Sequence, residues 1–438
     1  MSVQALPPWN VTMRNETIVV TGIGIVSPLG LTTTSTWENL IAKKSGIACI
    51  TQFDATHFST QIAAEVKQFD DTVLKNKKIL RQAPLFAKFA FAAADEALND
   101  ANLKPTTLTA ARWGLVTGSG STVIGAYDYW EKFQKRFAKE GQFDIATYRQ
   151  SDDFILLSDF AKTGVSNTTL ALLLQHCGIE GYGTSVNTAC ASSGQALGHA
   201  LQVIRRGDAD YVLAGGFDSM INPFGLASFI LLDALSKDNN SPTTASRPFD
   251  LTRNGFVLGE GAAFLVLEKK THALKRGARI YAEFVGEGNS LSSYRITDSH
   301  PSGEGAIQAI QNALRDAKMS TDEIDCINAH GTSTKMNDLS ETNAIKKVFG
   351  DRAREIPISG TKSQTGHLIA AAGALEAALS VLSIHHQCMP MTANLTTKDP
   401  DCDLDYVTEG PRSHRIHTVL SNSFGFGGSN SCLIFKRV

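Results

Sequence analysis

Two distant stretches of this chain echo each other, and the echo restricts the folds open to it. Ala97-Leu98-Asn99-Asp100-Ala101 has its counterpart in Ala313-Leu314-Arg315-Asp316-Ala317, and each is followed by a short linker and an apolar strand. The strands run out into turns of small residues, Gly118-Ser119-Gly120-Ser121-Thr122 in one case and Gly331-Thr332-Ser333-Thr334 in the other. A second pair supports the first: 187–206 and 359–386 both read as a loop of small polar residues opening a long Ala-rich helix. Two correspondences in the same order predict an α/β chain made of two halves of one topology, residues 1–277 and 278–438, in a five-layered αβαβα arrangement. A site between such halves would draw residues from both.

Within that plan, residues 17–26 read as a buried strand entering a loop at Ser27-Pro28-Leu29-Gly30, 84–101 as a helix and 113–117 as a strand. Residues from about 121 to 165 are charged and aromatic and interrupt the first half, which predicts a helical insertion or cap. A polar loop at 236–250 returns to the glycine-rich stretch Asn254 to Gly261.

Composition narrows the function. With 41 basic against 43 acidic residues and a net charge of −2, the chain lacks the basic excess of a dedicated nucleic-acid binder. Its seven cysteines are scattered and contain no CxxC pair, which fits a reducing cytosol and argues against zinc. The N-terminal stretch has no basic region followed by an apolar one, and no later segment offers about eighteen uninterrupted apolar residues. A cytoplasmic protein with no membrane span is the expectation.

The chemistry centres on Cys190, which sits in Asn187-Thr188-Ala189-Cys190-Ala191-Ser192-Ser193-Gly194 at the start of a helix. Unpaired N–H groups and the partial positive charge of a helix N-terminus favour thiolate over thiol, and the same groups can hold an oxyanion. Small neighbours leave room for an acyl chain. Two histidines lie in comparable glycine-flanked turns: His330 in Asn328-Ala329-His330-Gly331, and His367 at the end of Gly360-Thr361-Lys362-Ser363-Gln364-Thr365-Gly366-His367. A cysteine and two histidines placed this way point to nucleophilic catalysis. A metal site is the rival use of paired histidines, but no HxxxH spacing supports it. Gly22-Ile23-Gly24 lacks the third glycine of a dinucleotide fingerprint and reads as a structural turn, and Gly360-Thr361-Lys362-Ser363 lacks the glycine a phosphate loop needs.

The segments VVTGIGIVSPLG, NTACASSGQALGHA, GDADYVLAGG, RPFDLTRNGFVLGEGA, NAHGTST, GTKSQTGHLIAAAGALE and SNSFGFGGSN together resemble the elongating β-ketoacyl-acyl-carrier-protein synthases of fatty-acid and type II polyketide systems, in family order across nearly the whole chain. The resemblance implies a thiolase-like fold, a dimer (a homodimer, or a heterodimer with a related subunit), no cofactor of its own, and an acyl-carrier protein as partner. It implies a triad of Cys190, His330 and His367, a buried supporting pair Lys362 and Glu376, and an oxyanion hole from the N–H groups of Cys190 and Phe426. Phe426 would also gate the acyl pocket, Phe229 and Phe424 would contact substrate, and Thr332 and Thr334 would bind the carrier's pantetheine arm. Lys75, Lys77, Lys78 and Arg81 lie where the family docks its acidic carrier, whereas Asp233 stands before Ala234-Leu235-Ser236 where the family often has arginine. Residues 119–165 depart from the usual fatty-acid enzyme, which leaves a specialised polyketide or aryl-polyene-type role equally open. Two rivals share the fold. A non-catalytic chain-length partner subunit should lack the nucleophile, and a thiolase-type acyltransferase would use a second late cysteine where this chain has the His367 helix and the GFGG loop.

Overall fold

A computed structural model describes residues 16–74, 83–120, 138–139, 142–143, 166–295, 297 and 299–438. Among them ten strands form one sheet: β1 (Ile18–Val26), β2 (Trp113–Ser119), β3 (Gly183–Val186), β4 (Tyr211–Ser219), β5 (Glu260–Lys269), β6 (Ala282–Leu291), β7 (Cys326–Asn328), β8 (Ile358–Ser359), β9 (Thr418–Phe424) and β10 (Ser429–Lys436). Their spatial order is 8-7-9-10-6-1-5-4-2-3. Read from its outer edge, each half therefore repeats one order, 3-2-4-5-1 in the first and 8-7-9-10-6 in the second. The halves join where β1 and β6 pair antiparallel at Ile18–Phe284, Val19–Glu283 and Val20–Ala282.

Six helices set the layers: α1 (Leu85–Asp100), α2 (Ser192–Arg206), α3 (Pro223–Leu231), α4 (Glu304–Ala317), α5 (Lys335–Phe349) and α6 (Ala372–His386). α1 covers β1, β4 and β5, while α4 covers β6 and β10 with α5 beside it. α2 and α6 pack on each other, and each touches strands of both halves, so they form the middle layer. The two cross so closely that a Cβ on Gly373 would sit 2.7 Å from the Gly194 nitrogen. The helix Ile369–His386 is long and apolar enough to span a membrane by composition, although Glu376, Ser380 and Ser383 interrupt it; here it is this inner helix, almost wholly buried.

The echoed motif has a physical cause. The strand register shifts between Val20 and Gly22 in β1 and between Phe284 and Gly286 in β6. Beside each bulge a backbone N–H, that of Ile23 or of Glu287, donates 3.0 Å to the motif's aspartate, Asp100 or Asp316. The helices lie very close: a Cβ on Gly24 would be 1.9 Å from the Ala93 oxygen, and one on Gly288 would be 2.2 Å from the Ala309 oxygen. Gly22-Ile23-Gly24 is accordingly not a turn, as its glycines suggest, but the interior of β1 where α1 packs on it. Of the insertion expected at 121–165, two short strands, Ala138–Lys139 and Gln142–Phe143, pair with each other, and the remainder lies outside the described residues.

Candidate active site

Cys190 stands in a tight 3-10 turn, Ala189–Ala191, between β3 and α2. The turn is closed by Ser192, whose hydroxyl accepts from the Thr188 N–H at 2.8 Å and donates to the Ala189 carbonyl at 2.6 Å. The second half repeats this elbow at Ile369–Ala371 before α6, with Ala370 in the place of the cysteine. Ala189 and Ile369 hold φ of 50° and 47°, and Phe249, Ser333 and Gly331 nearby also have positive φ. A bulky or β-branched residue in this region is strained, and such strain gathers at functional sites.

His330 follows β7, and His367 follows a short helical turn, Lys362–Thr365. His367 is clamped by the first half, its N–H donating to the Val257 carbonyl and its own carbonyl accepting from the Gly259 N–H, both at 2.8 Å. Its Nε2 lies 3.1 Å from Cys190 Sγ, while its Nδ1 accepts the Ile369 N–H at 3.2 Å. Lys362 sits 3.2 Å from His330 Nδ1, donates to the His330 carbonyl at 2.6 Å and pairs with Glu376. An imidazole whose Nδ1 accepts a hydrogen bond carries its proton on Nε2 when neutral. Burial, followed by the Lys362 charge, pushes both histidines well below their ordinary value, so both are neutral donors.

The thiol departs from expectation. Cys190 does stand at a helix start, but burial pushes it up to about 12, against opposing help from Lys362 and from the N–H groups of Phe426 and Cys190 itself. Burial outweighs these groups and favours the thiol over the thiolate. The Cys190, His330 and His367 donor atoms lie within 4.8 Å of one another, close enough to share an ion despite their sequence spacing.

The triad opens into a cavity of ≈ 380 Å³ that Thr332, Thr334, Phe424 and Phe426 also line, with Asp233 among its residues. The two threonine hydroxyls are 2.9 Å apart. Phe229 does not line this cavity; it lies behind Phe426, with ring centroids 6.4 Å apart, in an apolar cluster that includes Cys190, Ile221, Leu226 and Phe256. Lys75, Lys77, Lys78 and Arg81 lie outside the described residues. Three carboxylates escaped the sequence reading. Glu341 accepts the His330 and Gly331 N–H groups at 2.9 Å, Asp338 accepts that of Thr332 at 3.0 Å, and Asp218 accepts that of Ala370 at 3.0 Å. Burial raises Glu341 and Asp218 to about 7. Glu341 and Asp338 lie a few residues beyond the His330 turn on α5, a position that reads from sequence as a solvated helix face.

Residues 15–273 match the family model "Beta-ketoacyl synthase, N-terminal domain" and residues 281–396 match "Beta-ketoacyl synthase, C-terminal domain". A 3-oxoacyl-[acyl-carrier-protein] synthase 2 from Coxiella burnetii is 42% identical over 426 residues, covering 97% of this chain and 100% of the relative. Among solved structures, a type II polyketide synthase acyl-carrier protein in complex with its ketosynthase bound to the hexaketide (AntDE:AntF) matches with TM-score 0.85 at 35% identity, over 97% of this chain and 100% of the other. The ishigamide ketosynthase/chain length factor matches with TM-score 0.86 at 32% identity, over 97% and 99%. A Cys-His-His cluster at the meeting of two like halves, both family domains in order and relatives matched end to end place this chain in the β-ketoacyl synthase family of condensing enzymes.

Proposed function

We propose that the chain condenses an acyl group held on Cys190 with malonyl-acyl-carrier protein, and that the observation carrying this reading is the pair of neutral Nε2–H donors converging beside one thiol. Cys190 attacks the incoming acyl thioester, and its proton leaves on the released pantetheine thiol. The N–H groups of Cys190 and Phe426, which bear on the sulfur, are within reach of an oxyanion formed there. Malonyl thioester then loses carbon dioxide, and the enolate oxygen accepts hydrogen bonds from His330 and His367. The carbanion attacks the Cys190 thioester, a carbon–carbon bond forms, the carbon–sulfur bond breaks, and the thiolate takes up a proton from solvent, replacing the one that left on the pantetheine thiol. Lys362 and Glu376 serve by fixing the His330 tautomer, Phe426 by gating the apolar cluster that contains Phe229, and Thr332 and Thr334 by holding the pantetheine arm.

His330→Ala and His367→Ala are each expected to accept an acyl group, seen by intact mass, yet to lose condensation by roughly 10²–10⁴-fold, because both act at the enolate. Condensation at wild-type rate in either variant would make that histidine structural. The partner is an acyl-carrier protein. A homodimer fits β3, whose partly exposed residues form the outer edge of the sheet; a heterodimer with a chain-length subunit is the second arrangement, favoured by likeness to the ishigamide pair. The pathway is fatty-acid elongation or a specialised polyketide, the latter supported by the departure at 119–165. Bacterial relatives and the burial of the apolar helix Ile369–His386, the one such helix among the described residues, support a cytoplasmic setting.

A further inference from the structure

The segment Arg247 to Phe256 stands out in the sequence, and no step above uses it. It wraps the turn that carries Thr332 and Thr334. The Arg247 N–H donates to the Ser333 hydroxyl and the Gly255 N–H to the Ser333 carbonyl, both at 3.0 Å. Arg253 is 4% exposed, and its guanidinium fork reaches four acceptors. Nε donates to the Thr334 carbonyl and Nη2 to the Lys335 carbonyl, both at 3.2 Å, while Nη1 donates to the Asp250 carbonyl at 2.8 Å and to Asp399 at 2.5 Å. Asp338, 3.6 Å from Nε, ties the other end of the turn through the Thr332 N–H. Ser333, between the two threonines, is held at φ 68°, a conformation that needs outside support.

We propose that Arg253 is a positioning residue for carrier-borne substrates: by gripping the Thr334 and Lys335 carbonyls it sets where the Thr332 and Thr334 hydroxyls stand at the cavity mouth. It touches neither substrate nor triad. Its planar, always-charged fork suits three carbonyls and one carboxylate at once, which a lysine could not replace. The proposal rests on the reading of the two threonines as the pantetheine grip.

The test is a double-mutant cycle on the full chain, combining Arg253→Lys or Arg253→Gln with Thr332→Val/Thr334→Val. Expected for Arg253→Lys is a rise on the order of 10-fold in KM for both acyl- and malonyl-carrier protein, with kcat nearly kept. The rate of Cys190 alkylation by iodoacetamide, which has no pantetheine arm, should stay at the wild-type value. Added to the threonine changes, the arginine change should cost little more, because it acts through them. If the threonine variants raise KM but Arg253→Lys, folded by circular dichroism, does not, the positioning role is overturned and the pantetheine grip stands. If the threonine variants leave KM unchanged, the grip itself falls and the proposal with it. A Lys variant that slows Cys190 alkylation and kcat together would show a general structural role and also overturn it.

Discussion

Attack on a thioester at neutral pH is eased when the thiol ionises readily, and Cys190 does not: burial holds it at about 12 although it stands at a helix start with two N–H groups on its sulfur. The neutral histidines follow from the same dry surroundings, since burial is the first cause of both shifts. Apart from the Lys362–Glu376 pair behind His330, the triad thus presents neutral groups and concentrates hydrogen-bond donors where negative charge appears during the reaction. One consequence is measurable. Because only thiolate alkylates, the rate of Cys190 modification by iodoacetamide, followed by peptide mass spectrometry, should climb about tenfold per pH unit from about pH 7 to pH 10 without levelling. A plateau near pH 8 would mean that the helix terminus outweighs burial after all.

At the level of elements, the fold was readable because its two halves use one device, an aspartate at a helix end that satisfies an N–H beside a strand bulge. Loss of either acceptor, as in Asp100→Ala or Asp316→Ala, should cost about 1–3 kcal/mol in chemical denaturation. Gly24→Ala and Gly288→Ala should cost at least as much, because each new methyl meets a helix carbonyl. Equal stability of an aspartate variant and wild type would show that its bulge is passive, and equal stability of a glycine variant would show that the helix can give way there. The catalytic cysteine and histidines were legible for a related reason, lying in glycine-flanked turns that interrupt apolar periodicity. Glu341, Asp338 and Arg253 were not, because charged residues on a helix or in a polar loop look solvated until the chain folds them under the His330 turn. Nor was the ionisation state of Cys190 legible, since it depends on how much protein covers it.

For the molecule as a whole, the carrier protein must bring its arm to the cavity mouth, where Asp233 stands exposed and paired with Lys237 at 2.7 Å. That pairing blunts the repulsion an acidic residue would otherwise offer an acidic carrier. Charge reversal at Lys77 and Lys78 should still raise the KM for carrier-bound substrate, with the loss shrinking at high salt. Unchanged kinetics in the lysine variants at low salt would refute their docking role. Asp233→Arg should improve use of a housekeeping carrier, and no gain there would remove the selectivity argument. The crossing of α2 and α6 at Gly194 and Gly373 has a kinetic consequence. Cys190 belongs to one half and both histidines to the other, so its surroundings come into being only when segments far apart in the chain have met. Such long-range closure is slow, and helices should form well before the pocket does. During refolding, far-ultraviolet circular dichroism should therefore recover first, and the thiol should remain as open to reagents as an unfolded cysteine until the middle layer closes.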